Sequence, residues 1–153
     1  MAAVIRSLVI SILACLPVCV SADDVQAKVD YLIHCQGCHL PEAVGVAGKV
    51  PRMKNFLGYY LHSEDGRRFI VQVPGAATAN LDDARLADLM NWLLLSYSKA
   101  ELPYDFEPYT AAEVGKLRPK LDPNPDETRT RILLDIAKDV PALAAEMESE
   151  KGY

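Results

Sequence analysis

The most constraining feature of the sequence is the five-residue segment Cys35-Gln36-Gly37-Cys38-His39. It places two thiols three positions apart and an imidazole directly after the second thiol, so that all three groups lie on one turn of the chain. The chain has 153 residues and four cysteines, and the other two, Cys15 and Cys19, lie in its apolar beginning. A disulfide framework would need more cysteines, so the segment must serve another chemistry.

Three chemistries compete for this motif. A thioredoxin-like redox pair would need a strand–helix–strand context, which the flanking residues do not show. A zinc site would need a second ligand pair at regular spacing, and the remaining histidines are His34 and His62. Haem attachment needs what is present, namely Cys35 and Cys38 to bond the porphyrin vinyl groups and His39 to ligate the iron. The motif therefore predicts one covalently bound haem c.

The first 22 residues have the composition of an export signal. The positive charge of Arg6 precedes an apolar stretch over residues 8–16, and Ala22 is a small residue before an acidic one. The stretch is too short to span a bilayer comfortably, and a bulky residue before Cys19 disfavours lipoprotein processing. We therefore predict a signal peptide over residues 1–22 that is cleaved, and a periplasmic or otherwise exported protein. Export fits the motif, because covalent haem attachment requires it.

Charge narrows the choice of partners. The formal net charge is −5, which argues against nucleic acid or an anionic membrane surface as a partner. An acidic protein is compatible with docking on a basic patch of another protein. We expect redox partner proteins, no nucleic acid, and no transmembrane segment after signal cleavage.

Hydrophobic periodicity predicts helices on both sides of the motif. A first helix begins at Asp23 or Asp24 and runs toward the cysteines. Four aliphatic residues at helical spacing define its predicted apolar face: Val25, Val29, Leu32 and Ile33. The clearest helix begins at Asn80 or Asp82 and continues to Tyr97.

The remaining segments are read as loops and short helices. Residues 40–51 form a loop, residues 55–62 a short helix, and Glu64-Asp65-Gly66 a turn. Thr110 opens a helix of about two turns through a capping-box pattern. A last amphipathic helix runs over about residues 126–138, and Pro141 can begin another.

Three further features carry a resemblance to a known family. Ala27 and Tyr31 precede the motif in steps of four, Pro51 follows His39 in a Pro-Arg-Met sequence, and residues 86–97 include Leu89 and Trp92. Over about residues 25–98 the sequence resembles the small mono-haem class I cytochromes c. The resemblance implies an all-α class I haem domain over residues 23–100. It also implies that the Pro51 carbonyl orients the His39 imidazole, as is usual for iron-ligating histidines. Residues 101–153 are then a C-terminal helical extension.

The sixth iron ligand is not where the resemblance would put it. That family usually has a methionine beside a proline before its last helix, whereas this chain has Val73 before Pro74. Two side chains are candidates, the imidazole of His62 and the thioether of Met53, and the third alternative is an open iron. Met53 replaces the leucine of the proximal turn, where a methionine commonly fills the core. Ligand identity matters, because methionine/histidine ligation favours a higher potential than bis-histidine ligation.

Two arginines are candidate contacts for the haem propionates. Arg67 and Arg68 follow the predicted turn near the supposed distal segment, and guanidinium binds carboxylates in a bidentate manner. The alternative is that both are solvated surface charges.

The expected function is transfer of single electrons between a periplasmic dehydrogenase or oxidase and the respiratory chain. The iron does the chemistry, and the protein sets potential, burial and docking surface. On this interpretation the chain is an electron carrier, itself not an enzyme, or a cytochrome subunit of an oxidoreductase complex. The alternative is a haem-based sensor of small ligands, or a peroxidase-like enzyme, with an open distal iron.

Overall fold

The computed structural model describes residues 22–150, and these form an all-α protein. The helices are α1 (Ala22–His34), α2 (Gln36–His39), α3 (Glu64–Gln72), α4 (Pro74–Ala77), α5 (Asp83–Tyr97), α6 (Ala111–Leu117), α7 (Pro125–Ile136) and α8 (Pro141–Glu150). Turns of 3₁₀ helix occupy Pro41–Ala43, Leu57–His62 and Lys99–Glu101. The predicted signal peptide, apart from Ala22, lies outside the described residues. Within residues 22–150, no helix is long and apolar enough to cross a membrane.

The crossing of α1 and α5 forms the centre of the molecule. Ala27 and Tyr31 of α1 are buried, with 2 % and 1 % of their surface exposed. The Tyr31 ring lies 5.8 Å from the Trp92 ring and 6.0 Å from the Tyr97 ring, measured between centroids. A small residue one turn before an aromatic one lets the two helices approach closely, and the aromatic contacts then fix their crossing.

The apolar face predicted for α1 was wrong. Its four aliphatic residues are exposed to between 39 % and 67 %: Val25, Val29, Leu32 and Ile33. Helix α5 packs instead against the opposite face, which carries Ala27, Asp30 and Tyr31. The buried Asp30 carboxylate accepts hydrogen bonds from Arg85 of α5 and from the Gln26 amide, which offset its desolvation.

The turn predicted at residues 64–66 was also wrong, because these residues form the first turn of α3. The Ser63 hydroxyl caps this helix by accepting a hydrogen bond of 3.0 Å from the Gly66 amide. The acidic residues Glu64 and Asp65 lie at its positive N-terminal end, where they are favourable. Gly66 is required, since a Cβ atom there would lie 2.1 Å from the Tyr60 carbonyl oxygen.

The cap predicted for α5 is confirmed. Asp82 accepts a hydrogen bond of 2.8 Å from the Arg85 amide, and the helix begins at Asp83. One face of α5 is fully buried in the core: Leu86, Ala87, Leu89, Met90, Leu93 and Leu94.

Helices α6 to α8 belong to the same core as the preceding helices. Thr110 caps α6 by accepting a hydrogen bond of 3.2 Å from the Glu113 amide, as its pattern predicts. The extension (residues 101–150 of the described chain) contributes six large side chains to the shared hydrophobic cluster: Tyr109, Val114, Ile132, Leu133, Ile136 and Leu143. The predicted division of the chain near residue 100 stays a prediction.

Candidate haem attachment site

Helix α1 leads directly into the motif. The Cys35 amide donates to the Tyr31 carbonyl at 2.9 Å, which continues the α1 hydrogen-bond pattern to the first cysteine. The His39 amide donates to the Cys35 carbonyl at 2.9 Å, so that α2 is one helical turn. Cys35 is half-buried and Cys38 is exposed, and both are free thiols. The turn thus presents two thiols and one imidazole within a single short helix.

The His39 imidazole is oriented by a backbone carbonyl. Its Nδ1 atom lies 3.0 Å from the Pro51 carbonyl oxygen, and because a carbonyl only accepts, this geometry assigns the ring proton to Nδ1. The Nε2 atom then carries the lone pair that a metal ion needs. Burial lowers the pKa of His39, which favours the neutral form that ligates metals.

The backbone of the loop that carries Pro51 is fixed by contacts with residues nearby in the sequence. The Tyr31 hydroxyl donates to the Leu40 carbonyl. The Met53 amide donates to the Ala43 carbonyl at 2.8 Å. Leu40 and Ala43 have φ angles of 64° and 59°, a costly left-handed conformation that persists only when neighbouring bonds fix it. The Pro51 carbonyl therefore has a defined position beside His39.

A glycine makes this loop possible. Gly45 has a φ angle of 67°, and a Cβ atom there would lie 2.5 Å from the Val50 carbonyl oxygen. The Gly45 amide donates to the His39 carbonyl at 2.9 Å. At Gly45 the first part of the loop therefore lies directly against the residues just before Pro51, and the Gly45 amide connects it to the end of the motif.

The thiol of Cys35 is not prepared for disulfide exchange. Burial raises the pKa of Cys35 to about 11, and the nearby charges of Asp30 and Cys38 add to this effect. Reactive cysteines of redox pairs have lowered pKa values, because the thiolate is the nucleophile. The electrostatics therefore argue against the thioredoxin-like interpretation.

The two candidate sixth ligands lie in different surroundings. The His62 Nε2 atom lies 3.0 Å from the Glu101 carbonyl oxygen, on the turn that follows α5. Met53 is partly buried against the hydrophobic core, in the loop that carries Pro51. The structure thus connects His62 to the end of α5 and Met53 to the loop beside His39. The ligand role of each stays a prediction.

Arg67 contacts the extension. Its Nε and Nη2 atoms donate to the two carboxylate oxygens of Glu113 at 2.6 and 2.8 Å, and Nη1 donates to the Glu107 carbonyl at 2.8 Å. The guanidinium carbon also lies 4.2 Å from the centre of the Tyr109 ring. Arg68, one residue later, pairs with Asp65 at the surface. The predicted role of both arginines in propionate binding stays a prediction.

Sequence reasoning missed Arg118. From the end of α6 its side chain donates to the carbonyls of residues 77, 79 and 81 and to the Asp83 carboxylate. A basic residue at the end of a helix commonly binds carbonyl oxygens. The position of Arg118 at a helix end is visible in the sequence. The sequence does not show, however, that Arg118 binds carbonyls of a segment about forty residues earlier and not those of its own helix.

Two thiols and a carbonyl-oriented imidazole on one turn of an all-α protein are typical of c-type cytochromes. The chain is similar to cytochrome c-552 of Thermus thermophilus, with 28 % identity over 104 residues that cover 56 % of this chain and 79 % of that protein. It is equally similar, again at 28 % identity, to the cytochrome c-552 of a particular strain of the same species, over 70 % of that protein. No family model and no solved structure matches the chain.

Proposed function

We propose that this chain is an exported mono-haem c-type cytochrome that carries single electrons. The observation that carries the proposal is the 3.0 Å contact between His39 Nδ1 and the Pro51 carbonyl oxygen. It leaves Nε2 as the free ring nitrogen on the same turn as Cys35 and Cys38. The similarity to cytochrome c-552 over 56 % of the chain supports the same function.

The described residues fit the group that this proposal requires. Cys35 and Cys38 would hold the porphyrin through thioether bonds, and His39 would bind the iron through Nε2. When bound, the haem supplies one-electron iron chemistry. The Pro51 carbonyl fixes the ring orientation and tautomer of His39, and it increases the basicity of the ligating nitrogen.

The proposed partners follow from the same function. An exported carrier would transfer electrons between a periplasmic dehydrogenase or oxidase and the respiratory chain. The formal net charge of −5 favours a partner with a basic docking patch.

A second candidate function follows from the sequence before α5. Val73 is half-buried and precedes Pro74 at the start of α4, where the class I resemblance implies methionine. Valine cannot ligate iron. If neither His62 nor Met53 replaces that ligand, the iron has an open position that would suit a sensor of small ligands or a peroxidase-like enzyme.

Covalent attachment is the first test. The full chain, produced in an exporting host that attaches haem c, should keep its haem through acid–acetone extraction and give the pyridine haemochrome spectrum of two thioether bonds. The Cys35→Ala/Cys38→Ala double variant should lose covalent haem, and His39→Ala should lose the native ferric spectrum. His34→Ala is the matched control, since His34 directly precedes the motif, and should resemble the unaltered protein. Haem that is extracted from the unaltered protein would reject the proposal.

Carbon monoxide distinguishes the two functions. A low-spin ferrous spectrum that carbon monoxide changes slowly or not at all supports electron transfer. A high-spin spectrum with rapid carbon monoxide binding supports the sensor or enzyme. His62→Ala and Met53→Leu, measured singly, then identify the ligand, because only loss of a true ligand opens the iron.

A further inference from the structure

In the segment that joins α4 to α5, several backbone carbonyl oxygens bind the same side chain. Residues 77–83 (called here the α4–α5 segment) include the carbonyls of Ala77, Ala79 and Leu81, which point to one common donor group. In regular structure such carbonyls bind backbone amides, and buried ones need a partner from elsewhere. Their arrangement around one group is therefore the feature that needs an explanation.

That group is the Arg118 guanidinium. Nη1 donates to the Leu81 carbonyl at 2.7 Å and to the Asp83 carboxylate at 3.0 Å, and Nη2 donates to the Ala79 carbonyl at 2.7 Å. Nε donates to the Ala77 carbonyl at 3.3 Å. The side chain is 16 % exposed. A planar group with donors on three nitrogens can serve all four acceptors together, which the single ammonium of lysine cannot.

Other contacts join the same part of the extension to the residues before this segment. The Gln72 side-chain amide donates to the Leu117 carbonyl at 3.3 Å, and the Asp122 amide donates to the Gln72 carbonyl at 3.0 Å. At Gly115, a Cβ atom would lie 2.6 Å from an Asp83 carboxylate oxygen, so α6 lies against the start of α5 with no room for a side chain. The end of α3 and the start of α5 are thus both joined to residues 115–122.

We propose that Arg118 is a positioning residue for the sixth-ligand side of the haem. It fixes the backbone of the α4–α5 segment, which follows Val73-Pro74, where the class I resemblance puts the sixth ligand. This inference rests on the proposed function, because it concerns access to the iron of a bound haem. The extension thereby limits how far this side of the haem opens to outside ligands.

Removal of the guanidinium has a defined chemical consequence. Three carbonyls and one carboxylate lose a common charged partner. The Ala79 carbonyl keeps the Leu81 amide as a donor at 2.8 Å, whereas the Ala77 and Leu81 carbonyls must then turn toward water. Bonds to charged groups contribute more than neutral ones, so the segment should open at least about tenfold more often in Arg118→Ala than in the unaltered protein. With the sixth position placed where the class I resemblance implies, each opening also exposes the iron.

The test uses the haem-loaded full chain and three variants. Arg118→Ala removes the donors, Arg118→Lys keeps only the charge, and Lys116→Ala is the matched control on an exposed position of the same helix. We expect about tenfold faster hydrogen exchange at the amides of residues 78, 79 and 81 in Arg118→Ala and Arg118→Lys, with exchange in α1 unchanged. We also expect several-fold faster carbon monoxide binding to the ferrous protein in both variants. Lys116→Ala should match the unaltered protein.

Chemical rescue separates this role from general packing. Millimolar guanidinium should enter the space left in Arg118→Ala and restore slow exchange and slow carbon monoxide binding, whereas sodium chloride at equal ionic strength should not. If Arg118→Ala does not fold, Arg118→Gln with Asp83→Asn gives a graded series on the same two readouts. Covalent haem with unaltered carbon monoxide binding in Arg118→Ala or Arg118→Gln overturns this inference alone. Absence of covalent haem from the unaltered protein overturns the proposed function, and the exchange data then still decide whether Arg118 fixes the segment.

Discussion

Two segments of the molecule, residues 40–53 and residues 77–83, are stabilised in different ways. The backbone of residues 40–53 is fixed by near neighbours in the sequence: the Tyr31 hydroxyl donates to the Leu40 carbonyl, nine positions away. The Arg52 side chain, in contrast, pairs with Glu146 of α8. Residues 77–83 are fixed by Arg118, which binds the Ala77 carbonyl from 41 positions away. The backbone of the first segment is thus bound by residues close to it in the sequence, and the backbone of the second is bound by a side chain of the extension. The comparison indicates that the backbone around Pro51 depends mainly on local contacts, whereas the backbone of residues 77–83 depends on Arg118.

Truncation after residue 100 is the severest test of this comparison. It removes the large buried side chains that α6 to α8 contribute to the core, from Val114 to Leu143. At about 1.5–3 kcal/mol for each such side chain, the loss is comparable to the whole stability of a typical domain. We expect no cooperative thermal unfolding and a weakened near-ultraviolet circular dichroism signal.

A nicked protein is the control for this truncation. Tyr104 is fully exposed, so a protease site inserted beside it should be cleaved without loss of the packing between α5 and α6. The nicked protein should then unfold cooperatively with both fragments associated. A truncated chain that unfolds at the midpoint of the full chain would show that residues 22–100 are stable alone, and the two segments would then not differ as described.

The same contrast explains how much of the fold was predictable. Caps are local, and therefore Asp82 at α5 and Thr110 at α6 were predicted from a few neighbouring residues. The turn predicted at residues 64–66 failed because acidic residues favour turns and helix starts alike, and the Ser63 cap decides for the helix. The apolar face of α1 was misassigned because the face that is buried depends on α5, more than fifty residues later.

In the candidate site too, a contact near the motif could be predicted, and contacts that involve the extension could not. The placement of the Pro51 carbonyl beside His39 was implied by the class I resemblance, and the structure has this contact at 3.0 Å. The contacts of Arg67 with the extension, and of Arg118 in the extension with residues 77–83, were not predictable. A guanidinium has the same chemistry toward a propionate, a carboxylate or a carbonyl, so only the fold decides among these acceptors.

Arg67→Ala tests the junction between α3 and the extension. The side chain is 23 % exposed and Glu113 29 % exposed, and the pair is bidentate with further bonds to backbone carbonyls. We expect a loss of about 2–3 kcal/mol in the free energy of unfolding, measured by chemical denaturation. Arg68→Ala is the matched control, because that side chain is 47 % exposed in a surface pair, and it should cost less than about 0.5 kcal/mol. Equal losses of unfolding free energy in Arg67→Ala and Arg68→Ala would contradict the view that Arg67 stabilises the junction and Arg68 does not.

Tyr31→Phe tests the local stabilisation of residues 40–53. The change removes only the hydroxyl that donates to the Leu40 carbonyl and keeps the ring contacts with Trp92 and Tyr97. We expect a loss of about 1 kcal/mol in unfolding free energy, since a neutral hydrogen bond contributes about that much. Tyr104→Phe, at a fully exposed position, should have no measurable effect. A loss near zero in Tyr31→Phe would mean that the left-handed residues after His39 are fixed by other contacts.

Alkaline pH should have the smallest effect on the free energy of unfolding. It acts through Tyr109, which belongs to the extension. Burial raises the pKa of Tyr109, whose hydroxyl donates to the Arg67 carbonyl at 2.7 Å, and the neighbouring charge of Arg67 opposes this increase only in part. In the unfolded chain a tyrosine has a pKa of about 10. The unfolded state therefore releases this proton first, so the contribution of Tyr109 to stability is complete below pH 10 and declines as the pH rises above it.

At pH 10 the expected loss from this residue is about 0.4 kcal/mol relative to pH 8, because half of the unfolded chains have ionised there. Tyr109→Phe removes the ionisable group, so its unfolding free energy should decline less between pH 8 and pH 10 than that of the unaltered protein. The Tyr104→Phe variant is again the control, since Tyr104 is fully exposed, and this variant should leave the pH dependence unchanged. Parallel pH profiles for the unaltered protein and Tyr109→Phe would mean that the Tyr109 hydroxyl is accessible to water. The extension would then cover α3 less tightly than its hydrogen bonds indicate.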